Sequence, residues 1–183
     1  MSEKMDGIRA YWDGKKFISK NGKCIFVPSK FSKGLPSVAL DGEIWMGRGT
    51  YEKLTSLLKS NISNSAIDKW NEVGYYIFDL PSSSAPYEER LDKLQNLQLP
   101  THVHLVKSIR CNDFKHLNLY LDEILNGGGE GIILREPNSI YTVGLISSSF
   151  LKLKRIDDTE VILTEVMNTG LFCQQYHLLN FYY

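Results

Sequence analysis

The chain has 183 residues, which suits one domain, or one and a fragment of a second, and its 43% hydrophobic and 23% charged content is enough for a buried core. Its 21 Lys/Arg and 21 Asp/Glu cancel to a net charge of zero, which argues against a uniformly basic surface. There is no run of about 18 apolar residues, the N-terminal MSEKMDGIRA lacks the apolar stretch of a secretory signal, and Cys24, Cys111 and Cys173 show neither metal nor disulfide spacing, so an intracellular protein without a membrane span is expected.

Ile8–Trp12 alternates apolar and polar residues and predicts a strand. Asp13-Gly14 is a turn, and Lys16–Ser19 is a second strand. Asn21-Gly22 suits a two-residue hairpin turn, with Cys24–Val27 as the returning strand. Pro28–Pro36 reads as a connection and Val38–Trp45 as another strand. In Thr50–Lys59 the spacing of Tyr51, Leu54, Leu57 and Leu58 predicts an amphipathic helix. Ile67–Val73 suits a short helix, and Tyr75–Leu80 is an apolar run of the kind found in buried strands. Pro86–Leu97 opens with Pro86, Glu88 and Glu89, which favour a helix start. His102–Ile109 is a strand candidate. Asn112–Leu125 predicts a helix capped by Asn or Asp and ended by Gly127-Gly128-Gly129. Glu130–Arg135 and Ser149–Lys154 complete the strands. Helices and largely antiparallel strands are mixed, so the fold class is α+β. After about Glu165 the sequence is apolar and aromatic without a period.

Charge is unevenly spread. Residues 1–35 carry Lys4, Arg9, Lys15, Lys16, Lys20, Lys23, Lys30 and Lys33 against Glu3, Asp6 and Asp13, whereas 36–150 is net acidic. A basic edge of this kind attracts polyanions, although a lysine-rich solvated edge has the same composition.

Five short clusters carry the chemistry: KMDGIR from Lys4, LDGEI from Leu40, FDL from Phe78, EGIILR from Glu130 and LKLK from Leu151. Each alone is compatible with an ordinary turn or strand end. In this order they resemble the covalent nucleotidyltransferases, a superfamily of ATP-dependent DNA ligases, RNA ligases and mRNA capping enzymes. The resemblance covers roughly residues 3–156. RAYWDG (9–14), LDGEIWMGRG (40–49), FDLP (78–81), PYEERL (86–91) and GGEGIILR (128–135) are similar to minimal bacterial-type DNA ligases. Glu130-Gly131 stands where capping enzymes carry Asp-Gly.

The resemblance implies a nucleotidyltransferase (ATP-grasp-like) domain of antiparallel sheets flanked by helices over 1–156. It implies a DNA ligase that forms a lysyl-AMP on Lys4 and seals nicks in duplex DNA during repair. An RNA ligase or capping-type enzyme, or an inactive nucleotide- or DNA-binding fragment, is the alternative. A lysine amine attacks phosphorus only as the free base. Nearby cations, a bound metal with Lys152 or Lys154, would favour that form at Lys4. ATP is the expected co-substrate, with Glu3, Lys4, Arg9, Glu43, Phe78, Ile132, Lys152 and Lys154 around it. Phe78 would stack on adenine, Ile132 would cover its other face, and the backbone at Glu3 would read its edge. Asp41, Glu43 and Glu130 would serve Mg²⁺ or Mn²⁺, which prefer carboxylate oxygens. Arg9, Lys20 and Arg48 are the candidate DNA contacts, with a loop-capping role equally open for Arg48. A monomer acting on nicked double-stranded DNA is expected.

Two departures accompany the resemblance. Lys20 stands where the family often has arginine, so the 5′-phosphate of a nick would meet a point charge instead of a bidentate fork. Only Met1-Ser2-Glu3 precedes the nucleophile, and the residues after Lys154 are too few for a five-stranded barrel. The OB-fold is therefore expected to be missing, with 157–183 a linker or a remnant of it.

Overall fold

The alternating apolar pattern of the first fifty residues builds the centre of a six-stranded sheet. The computed structural model describes residues 1–60, 68–143 and 149–154. Its strands are β1 (Ser2–Glu3), β2 (Ile8–Trp12), β3 (Phe17–Ser19), β4 (Cys24–Ile25), β5 (Leu40–Trp45), β6 (Gly74–Asp79), β7 (Val103–Leu105), β8 (Ile132–Arg135) and β9 (Phe150–Leu153). The helices are α1 (Ser29–Ser32), α2 (Tyr51–Lys59), α3 (Tyr87–Gln95) and α4 (Phe114–Asn126), with a 3₁₀ turn at Asp68–Glu72. None of these helices is long and apolar enough to cross a membrane.

The large sheet has the order β4-β3-β2-β5-β6-β7, and the small sheet the order β1-β8-β9. In the large sheet, Ile8, Ala10 and Trp12 of β2 lie opposite Ile44, Gly42 and Leu40 of β5. Side chains on a strand alternate between faces, so this register gathers the apolar ones on one side. Ala10, Leu40, Ile44, Tyr75 and Ile77 are fully buried there, beneath Phe31 of α1, Leu54 and Leu57 of α2, and Trp70. The same register puts Arg9 opposite Glu43 and Tyr11 opposite Asp41 on the other face. A smaller core forms where α4 presents Leu117 and Ile124 to Ile132 of the small sheet. Asp113 caps α4 by accepting the backbone N–H of His116 at 2.7 Å.

Most elements lie where the sequence puts them, and the differences have identifiable causes. The three residues before Lys4 do contribute a strand: Ser2 and Glu3 form β1, paired with Ile133 and Ile132 of β8. Long-range pairing of this kind leaves no local signal. The connection after Pro28 contains α1, which buries Phe31. Glu130 and Gly131 precede β8 instead of opening it. The strand expected over His102–Ile109 is only Val103–Leu105, and it runs parallel to β6. A parallel neighbour requires a crossover, which the segment carrying α3 supplies. Within Ile67–Val73 the described residues form the 3₁₀ turn. The expected linker or remnant at 157–183, and the apolar tail with it, lie outside the described residues.

Candidate active site

Lys4 sits in the link between β1 of the small sheet and β2 of the large one. Its backbone N–H donates to Gly131 O at 2.8 Å, continuing the β1–β8 pairing by one residue. Its ammonium is ion-paired with Glu130, the residue just before that glycine. Lys154 Nζ lies 3.9 Å from the other oxygen of Glu130. The Lys4 and Glu130 side chains are 22% and 31% exposed, so the pair is sheltered yet reachable.

Two glycines make this approach possible. A Cβ on Gly131, whose φ is 152°, would lie 2.1 Å from Leu153 O. No other residue lets β8 and β9 come together at that point. A Cβ on Gly7 would lie 2.5 Å from Ile44 O and 2.8 Å from Glu43 Cγ. The glycine of KMDGIR thus leaves room for β5 and its carboxylate beside the lysine.

The small sheet turns a cationic face towards this region. Ser2, Ile133 and Lys152 are register partners and share one side of the sheet, as do Arg135 and Phe150. Arg135 Cζ lies 5.8 Å from the Phe78 ring centroid, which brings that side of the small sheet against β6. Ile132, expected to cover a nucleotide base, faces the opposite way and is fully buried with Leu117 and Ile124. Alternation places its neighbour Ile133 on the Lys152 side instead.

Phe78 occupies an irregularity in β6. Asp41 pairs with Asp79 and Gly42 with Ile77, so Phe78 is the extra residue of a β-bulge. A bulge re-aims one side chain without moving the rest of its strand. The Phe78 ring lies beneath the Arg9 guanidinium at 5.9 Å.

Asp41 is almost fully buried and has both oxygens occupied. Arg9 Nε donates to Oδ1 at 3.2 Å and Arg9 Nη2 to Oδ2 at 2.7 Å. The Tyr141 hydroxyl donates to Oδ2 at 2.9 Å. Asp41 therefore orients an arginine here and has little coordination left for a metal ion. The hydrogen bond to Asp41 holds Arg9 above its ordinary pKa despite partial burial. Burial, followed by the Asp41 charge, pushes Tyr141 upward, so it remains a hydroxyl donor. Glu43, on the next residue of the same sheet face, has no such fork. Burial raises its pKa to about 7, against the opposing pull of Arg9 and Lys4.

Arg48 is tied down. Its Nε and Nη2 donate to the two oxygens of Glu3 at 2.7 and 3.0 Å, and its Nη1 donates to Gly127 O at 2.7 Å. These bonds fasten the loop after β5 to β1 and to the end of α4. Lys20 is exposed at the β3–β4 hairpin.

Several residues here escape sequence reasoning. Asp79, the last residue of β6, is fully buried and ion-paired with both Arg90 and Arg135. Arg90 also donates to Ala85 O and Ser139 O at 2.6 and 2.8 Å. The only signal for this cluster was an acid and an arginine at the ends of the apolar strands Gly74–Asp79 and Ile132–Arg135; Arg90, in the charged helix Tyr87–Gln95, gave none. Tyr141, in a polar loop, carried none.

The architecture is that of the nucleotidyltransferase domains of DNA ligases. It is similar to a structure from an analysis of Lig E DNA ligases binding DNA with a minimal scaffold, with a TM-score of 0.78 and 30% identity over 84% of this chain and 60% of that one. The Chlorella virus DNA ligase-adenylate shares the fold, with a TM-score of 0.69 at 22% identity over 84% of this chain and 61% of that one. In sequence the chain is 36% identical to the DNA ligase of Haemophilus influenzae over 157 residues, 84% of this chain and 57% of that protein. It is 34% identical to DNA ligase 1 of Korarchaeum cryptofilum over 94 residues, 48% of this chain and 17% of that protein. The ATP-dependent DNA ligase domain matches residues 1–154, and the chain belongs to that family. It spans about three-fifths of the length of the Haemophilus and Lig E proteins.

Proposed function

We propose that residues 1–156 form an adenylation domain in which Lys4 takes AMP from ATP, passes it to the 5′-phosphate of a nick in duplex DNA, and so allows the 3′-hydroxyl to close the strand. The observation that carries this reading is the Lys4–Glu130 pair, with Lys154 on the same carboxylate. A nucleophilic amine, a carboxylate that can exchange its partner, and flanking cations are what transfer of a phosphoryl group to nitrogen requires.

Lys4 attacks the α-phosphorus of ATP: an N–P bond forms, the bond to pyrophosphate breaks, and the amine gives up a proton. Lys152 and Lys154, two apart at the end of β9, flank the phosphates. Phe78, re-aimed by its bulge, offers a ring for the adenine, and Ile133 is on the correct side of β8 to oppose it. Arg9, held in a fork by Asp41, presents its remaining donors towards the sugar. The backbone at Glu3 lies along the edge of the base.

The donor set also fits a hard divalent cation. No three His, Cys, Asp or Glu side chains among the described residues form a complete cage. Mg²⁺ ordinarily binds through one or two carboxylates together with substrate phosphates, and Glu130, paired with Lys4, and Glu43, which feels the Lys4 charge, suit that arrangement. When bound, the ion neutralises charge on the phosphates.

Lys20 and its neighbouring lysines would lie along the DNA backbone, giving salt-sensitive, sequence-independent binding. Arg48, with donors already committed to Glu3 and Gly127, fits loop anchoring better than a phosphate contact. Mass spectrometry after incubation with ATP and Mg²⁺ tests the reading. Addition of one AMP at Lys4 is expected, and an adduct formed from GTP alone would overturn it.

A further inference from the structure

Asp41 and Tyr141 are 100 residues apart, yet the Tyr141 hydroxyl donates to Asp41 Oδ2 at 2.9 Å. That oxygen also accepts from Arg9 Nη2 at 2.7 Å. The tyrosine is therefore one atom removed from the guanidinium. Its loop is anchored independently of Asp41. Glu88 N donates to Pro137 O at 3.1 Å, and the buried Arg90 donates to Ser139 O at 2.8 Å. Tyr141 follows two residues later, with its ring 5.9 Å from Arg90 Cζ. The loop is thus pinned to α3, and its tyrosine reaches across to the large sheet.

A guanidinium has five N–H donors in a rigid plane. Arg9 spends two of them on Asp41. The direction of the remaining three depends on the plane of the Asp41 carboxylate. An aspartate has a broad, roughly two-fold terminal torsion. The third donor, from Tyr141, selects one orientation of that carboxylate. It also adds a charge-assisted hydrogen bond, which is stronger than a neutral one. The Arg9 side chain is 48% exposed, and among the described residues it is held by this fork, the Phe78 ring and the adjoining Tyr141 hydroxyl.

We propose that Tyr141 is a positioning residue for the adenylation step, aligning Arg9 on the nucleotide sugar through the carboxylate of Asp41. This rests on the reading of Lys4 as the AMP acceptor given above. Tyr141 touches no reacting atom in this scheme. Its loss weakens capture of ATP and leaves Lys4 and Glu130 in place.

The test is a double-mutant cycle on Lys4 labelling with ATP and Mg²⁺, using Tyr141→Phe, Arg9→Lys and the pair. Tyr141→Phe deletes only the hydroxyl. It is expected to raise the ATP concentration for half-maximal labelling about tenfold, the size of one hydrogen bond to a charged group, with a smaller change in the maximal rate. In the Arg9→Lys background, where no fork remains to align, the same change is expected to have little further effect. An equal loss in both backgrounds would mean that the hydroxyl acts only on the fold and would overturn the proposal. Unchanged labelling by Tyr141→Phe would overturn it too, while leaving Lys4 as the acceptor. A wild-type chain that never gains AMP would sink the reading of the site and this role with it.

Discussion

Arg90 Nε donates to Asp79 Oδ1 at 2.6 Å, and neither side chain is more than 1% exposed. Arg135 reaches the other oxygen of the same carboxylate. One buried acid thus joins α3 to the strand that follows Glu130, directly behind the Phe78 bulge. Removing one partner strands a charge in the interior, which ordinarily costs about 3–5 kcal/mol. Arg90→Ala is therefore expected to lower stability by about that amount, measured by urea unfolding. Because Arg90 also holds Ser139 O, the loop carrying Tyr141 should loosen as well. A loss under about 1 kcal/mol would show that the carboxylate is satisfied without it.

The Lys4–Glu130 pair is a different kind of contact, partly exposed and open to exchange. Lys4→Ala is expected to abolish AMP attachment while leaving the unfolding midpoint close to wild type, since surface pairs contribute little to stability. Glu130→Gln should reduce labelling roughly a hundredfold or more, because both a metal-site carboxylate and the lysine's partner are lost. Labelling and thermal unfolding measured on the same samples separate the two effects. Retention of the AMP adduct in Lys4→Ala would remove that residue as the acceptor.

Glu43 predicts a pH dependence of stability. Its folded pKa is about 7, raised by burial from the ordinary glutamate value of 4.5. Between those values the folded chain binds more protons than the unfolded one, so stability falls as pH rises. The favourable contribution is complete below pH 4.5 and is lost through pH 7. The difference is on the order of 3 kcal/mol. Glu43→Gln should abolish this slope in metal-free buffer, and above pH 7 the variant should be more stable than wild type. Parallel stability curves for the two proteins over pH 4–8 would contradict the assignment.

Lys20 offers a charge without a fork. If it meets the 5′-phosphate of a nick, Lys20→Arg should tighten binding to 5′-phosphorylated nicked duplex severalfold through bidentate contact. Lys20→Ala should reduce the slope of log affinity against log salt by about one. Binding titrations at several salt concentrations, with and without the 5′-phosphate, distinguish this from a general lysine-rich edge. Equal effects on both duplexes would leave Lys20 as a backbone contact only.

Local patterns carried much of this architecture. Alternation in Ile8–Trp12 and Leu40–Trp45, the helical spacing of Tyr51, Leu54 and Leu57, and the glycines after Leu125 each reflect neighbours along the chain. The motif order from Lys4 to Lys154 was equally visible, because it is a property of the sequence. Register was not. A two-residue strand such as β1 has no period to detect, and its pairing with β8 bridges more than a hundred positions. The bulge at Phe78 follows from the register of β6 on β5, and the choice of Ile133 over Ile132 for the cationic face from the register of β8 on β9.

What the sequence determined by itself was the set of reactive side chains and the elements that carry them, since residue type and short-range spacing set both. Which of those side chains meet was decided only by the tertiary structure. Burial made Asp41 an arginine holder and Asp79 an internal ion pair, because carboxylates removed from water must find cations wherever the fold brings them. The same fold put Tyr141 on Asp41, a contact between segments a hundred residues apart that no local preference encodes.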